Sequence, residues 1–172
     1  MPRRELNLLS DAAQVWVFPV SPSVGGVQKE HLLDVVDRFL DQWDAHGSPV
    51  TSGRALVEGS LLLIAADRNS ETSGCSIDRM FGTLKQLEGA LGVAILDSNR
   101  ILYRDRSGSV QAATRSSFRE TVAAGEVDAD TLVFDPLIDT LGSFRRGELE
   151  KRAGDSWHGA AFGLKQAAAA QR

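Results

Sequence analysis

Apolar residues recur along the chain at two spacings, and the switches between them lay out the elements. "AQVWVFPV" (Ala13–Val20) is dense in β-branched and aromatic side chains and stops at a proline, which predicts a strand. After the loop "SPSVGG", Leu32, Val35, Val36, Phe39, Leu40 and Trp43 fall three and four residues apart. That is the period of an amphipathic helix, here from Val27 to about Ala45, stopped by Gly47 and Pro49. "VTSGRALV" and "SLLLIAAD" read as two strands joined in a hairpin at Glu58-Gly59. A second helix from about Ser76 to Leu91 carries Ile77, Met80, Phe81, Leu84, Leu87 and Leu91 on one face. Ser73 or Ser76 is placed to cap it and Gly92 to end it. "VAILD" and "ILYRD", separated by Ser98-Asn99-Arg100, predict another hairpin.

The order β-α-β-β-α-β plus one strand predicts an α+β fold of the ferredoxin-like kind, with two helices on one face of an antiparallel sheet. This core spans 13–106, its last strands forming the extra hairpin. From 107 to 163 the pattern becomes turn, short strand, helix capped at Thr114 or Ser116, turn and short strand, which predicts a small helix–strand appendage. Residues 164–172, "LKQAAAAQR", read as an alanine-rich tail that frays.

Two stretches resemble known families. Ser107–Pro136, with its helix ending in Ala-Gly followed by "GEVDADTLVFD", resembles the GYF-type small domain of bacterial membrane-associated proteins. The tryptophan which that pattern carries after the last strand is absent, the next being Trp157. Trp16 to Arg104, with "W-x-A-H-G" at Trp43–Gly47 and "S-G-C-S-I-D" at Ser73–Asp78, is similar to an uncharacterised bacterial family. Some of its members are labelled ABC transporter ATPases. The resemblance implies no established activity, and the chain has no G-x-x-x-x-G-K-[ST] loop to cradle nucleotide phosphates.

Composition narrows the field further. A net charge of −4 with interspersed signs argues against nucleic acid as a partner, since phosphate-tracking proteins carry a basic stripe. Arg145, Arg146, Lys151 and Arg152 alternate with Glu148 and Glu150 and read as a solvated face. One cysteine and three histidines, none in HExxH spacing, offer no metal motif, and no cofactor is expected. The longest apolar run, "LLLIAA", is six residues, so no membrane span is expected. With no basic-then-apolar leader at its start, the sequence predicts a cytoplasmic protein of bacterial type.

The candidate chemistry gathers at Cys75. Unpaired N–H groups and the positive dipole end at a helix N-terminus stabilise a thiolate. The same groups, in a turn made by Ser73, Gly74 and Ser76, bind an anion equally well. In the expected topology the end of the first helix, the end of the third strand and the start of the second helix share one pole. His46, Asp67 and Cys75 would meet there, with Asp97 and Arg100 arriving from the fourth strand. Cys75 would attack, His46 would take the proton, and Asp67 or Asp78 would hold the imidazole.

Each of these residues has a plainer role open to it. A lone cysteine is often a small buried hydrophobe. His46 suits the end of a helix and Asp78 the start of one. Trp16, Trp43 and Phe39 suit a core, and Trp157-His158 suits an anchor for the C-terminal segment. Two functions follow. One is a non-enzymatic binding or regulatory module taking a protein partner or a small anionic ligand at Ser73–Asp78, with homodimerisation left open. The other is a thiol-dependent enzyme or redox sensor using Cys75 with His46.

Overall fold

The computed structural model describes residues 3–164 of the chain. In order, the elements are β1 (Gln14–Pro19), α1 (Gly26–Asp41), β2 (Asp44–Ala45), β3 (Ser48–Pro49), β4 (Ser52–Val57), β5 (Leu61–Ala66) and α2 (Gly74–Leu91). There follow β6 (Ile101–Arg104), β7 (Val110–Ala113), α3 (Arg115–Ala123), β8 (Leu132–Phe134), α4 (Leu141–Arg145), β9 (Glu150–Arg152) and α5 (Trp157–Phe162). The protein is thus mixed α+β with antiparallel sheets. It divides into two compact units, Met1–Ser98 with Pro136–Gly147, and Asn99–Asp135 with Glu148–Arg172.

In the first unit the sheet order is β1–β5–β4, with β5 antiparallel to both neighbours. β1 and β4 therefore run parallel with β5 inserted between them. All six residues of β5 are buried, which explains an unbroken apolar run where a half-exposed strand would alternate. Leu62, Ile64 and Ala66 share a core with Phe18 of β1, Leu32, Val36 and Leu40 of α1, and Met80, Leu84 and Leu87 of α2. Each such leucine or isoleucine contributes about 1.5–3 kcal/mol on burial. The β4–β5 hairpin turns at Glu58 and Gly59, both at positive φ, as the twist of the flanking strands requires.

α1 ends four residues before the expected Ala45 because Trp43 leaves the helical path for the core, where it is 1% exposed. Residues 44–49 form instead a small hairpin, β2 against β3, turning at His46 and Gly47. α2 begins at Gly74, two residues before the expected start, with Ser73 of the two candidate serines as its cap: Ser73 Oγ accepts from the Ser76 N–H, Ser76 Oγ accepts from the Ser73 N–H, and Gly92 closes the helix in the left-handed region.

The strand expected over "VAILD" is reduced to one antiparallel bridge between Ser21 and Ala94. Two of its backbone donors are taken by a side chain: Glu88 Oε1 accepts from the Ile95 and Leu96 N–H groups, at 2.8 Å each. "ILYRD" forms β6, but in the second unit, so the division falls after Ser98 and not after residue 106.

The second unit is a four-stranded antiparallel sheet in the order β7–β6–β8–β9. Thr114 caps α3, whose Phe118 packs with Ile101, Val127, Val133, Ala153 and Leu164. Trp157 and Phe162 of α5 pack against the same cluster. The expected tail lies outside the described residues beyond Leu164. Among the described residues no helix is long and apolar enough to cross a membrane.

Candidate functional site at the start of α2

The first turn of α2 exposes backbone donors because the capping box satisfies only part of it. The Ser76 N–H goes to Ser73 Oγ and the Ile77 N–H to the Ser73 carbonyl. Among the described residues no acceptor meets the N–H groups of Gly74 and Cys75, the first donors of the helix. No acidic residue stands in that turn to offset the positive dipole end. A Cβ built on Gly74 would meet nothing within 4 Å, so no other part of the protein crowds that side of the turn.

Facing the turn is the β2–β3 hairpin. His46 has φ +52° and Gly47 +77°, the pair of left-handed residues that a two-residue hairpin turn demands. Asparagine or glycine suits the first position better, so a histidine there is held at some strain. The hairpin is tied to α2 by Arg79, whose Nη2 donates to both the carbonyl and the Oδ1 of Asp44. That hydrogen bond and the guanidinium charge hold the Asp44 carboxyl below its ordinary range.

Asp44, Ala45, His46, Ser73, Gly74, Cys75, Ser76 and Arg79 line one cleft of about 740 Å³. Cys75 is exposed in it. His46 and Cys75 thus come to one place from separate elements, although His46 arrives on a hairpin tip and not on a helix end.

The other candidates lie elsewhere. Asp67 lines a separate depression of about 320 Å³ with Gln14, Arg68, Ser70, Glu71, Thr72 and Asp139. Its Oδ1 accepts from the Asn69 N–H at 3.0 Å, shaping the turn after β5. Asp78 is exposed beyond the first turn of α2, and Arg100 belongs to the second unit, just ahead of β6. No hydrogen bond joins the Cys75 thiol, the His46 imidazole or a carboxylate among the described residues. Nor does a group of three or more His, Cys, Asp or Glu side chains gather there as metal ligands would.

Arg79 and Asp44 are the lining residues that sequence reasoning missed. Arg79 was within reach of it, lying four residues after Cys75 on the same helix face. Asp44 was not, because it enters the cleft only through a hairpin drawn as helix.

No protein-family model matches the chain, and comparison with curated proteins and with solved structures finds no significant similarity.

Proposed function

We propose that the protein is a non-enzymatic binding or regulatory module, and that its first unit takes a small oxyanion, free or carried on a partner, at the N-terminus of α2. The observation that supports this is the pair of unspent N–H groups on Gly74 and Cys75, opening into a cleft that also holds Arg79 and His46. The parallel β1–β4 pair split by β5 supports a ferredoxin-like descent for this unit, a fold that hosts many binding functions and fixes none.

Cys75 provides a reporter inside the site. An anion-attracting cleft speeds alkylation by iodoacetate relative to neutral iodoacetamide, compared with the same ratio for a free thiol, and inorganic phosphate protects against it. A ratio no higher than that of the free thiol, unaffected by phosphate, speaks against the reading.

A second reading, thiol chemistry, is favoured by the exposure of Cys75 in the same cleft as His46. In that case His46→Ala shifts the rise of iodoacetamide alkylation to higher pH. An unchanged profile removes His46 from any such role.

A further inference from the structure

The second unit holds an ionisable group that the α2 cleft does not use. His158, on α5, is 1% exposed. Its ring stacks on Trp157 at 3.8 Å between centroids and lies 6.1 Å from Phe118 of α3. Its Nδ1 is 2.8 Å from Ser156 Oγ, which also accepts from the His158 N–H and lies 3.1 Å from the Ala153 carbonyl. An imidazole wedged between aromatic rings with one hydroxyl partner is well placed while neutral and poorly placed when charged.

We propose that His158 makes α5 an acid-released element of the second unit, held in place at neutral pH and opened progressively as the solution acidifies. Burial pushes the imidazole down to about 4. Two charged groups act on it from neighbouring elements: Asp135, just after β8, favours the imidazolium, and Arg115 of α3 opposes it. Asp135 is itself paired with Lys151 of β9 at 3.1 Å, which weakens its help.

An unconstrained histidine titrates near 6.5. Between about pH 6.5 and pH 4 the released form therefore binds a proton that the packed form refuses. The opening equilibrium rises by up to about ten-fold per pH unit across that window and levels off below it. Release uncovers Phe118 and its apolar neighbours.

Two indoles make the test internal. Trp157 Nε1 is buried with no acceptor, so packing alone shields its N–H from solvent. Trp43 Nε1, in the first unit, is buried and donates to the Ser76 carbonyl, and serves as the control. Indole N–H exchange is followed by NMR on the full chain from pH 7 to pH 4.5 and corrected for intrinsic rates. The expected result is a Trp157 opening constant that climbs by about ten-fold per unit while that of Trp43 stays flat. His158→Phe abolishes the climb. Should that variant not fold, Arg115→Gln decides: losing the guanidinium over the Trp157 ring raises opening equally at every pH, whereas losing the opposing charge makes the climb shallower. A flat wild-type Trp157 profile, or a climb unchanged in both variants, overturns the proposal.

Discussion

The indole Nε1 of Trp43 donates to the carbonyl of Ser76 at 3.2 Å, a buried bond that ties the root of the β2–β3 hairpin to the first turn of α2. The two walls of the cleft are thus joined at its base, and Val50 N–H to the Trp43 carbonyl at 2.9 Å closes the hairpin from the other side. Trp43→Phe keeps an aromatic ring near Trp16 and Phe39 but deletes the donor. A loss of about 1–3 kcal/mol in urea unfolding is expected, with faster amide exchange over residues 44–49 than in β1 or β5. Unchanged exchange in the hairpin would mean that another contact holds it.

His46 sets stability against function. Asparagine is the preferred first residue of such a turn, so His46→Asn is expected to raise unfolding stability by a few tenths to about 1 kcal/mol. The same variant loses the imidazole from the cleft and binds phosphate more weakly. Both quantities can be read on one preparation, and a gain in stability with undiminished binding would take His46 out of the site.

Glu88 governs the fate of the segment after α2. Burial opposes its ionisation, but hydrogen bonds from Lys85 and from the Leu96 and Ile95 N–H groups outweigh this and hold the carboxyl down at about 2. A carboxyl lowered in the folded state contributes stability that is fully present above its ordinary value of about 4.5. That contribution is lost as the pH falls from there towards 2. Glu88→Gln is expected to cost about 1–3 kcal/mol at neutral pH by leaving two backbone donors weakly met. It should also flatten this part of the acid-unfolding curve, whereas an identical curve would assign the acid response to other groups.

Two glycines separate strain from open space. Gly59 has φ +67°, and a Cβ there would lie 2.3 Å from the Val24 carbonyl oxygen. Gly59→Ala is expected to destabilise by about 2–4 kcal/mol. Gly74, with ordinary φ and nothing within reach of a Cβ, should accept alanine with a change of about 0.5 kcal/mol or less. Parallel thermal melts of the two variants provide the check, and equal shifts would contradict this account of the β4–β5 turn.

What the sequence made legible was decided locally. The Glu58-Gly59 turn, the Ser73 cap and the Gly92 stop are each written within a few neighbouring residues, and each stands where the pattern put it. The end of α1 was not legible, because Trp43 keeps the helical period while its indole is claimed by Ser76 across the fold. "VAILD" has the composition of a strand, yet Glu88 takes two of its donors, and β6 pairs instead with β7 just after it and with β8 further along the chain. The same division runs through the site. Connectivity alone was enough to bring His46 and Cys75 together, whereas Asp67 is turned into its own loop by the Asn69 N–H, a detail of side-chain geometry.

An anion received by the open donors of α2 would leave its mark on their amide resonances. Titrating the ¹⁵N-labelled protein with inorganic phosphate at neutral pH tests such binding most directly. Saturable shifts are expected at the Gly74 and Cys75 amides and at the Arg79 side chain, weakened in Arg79→Gln. Shifts absent from these groups, or spread without saturation over the surface, would contradict it.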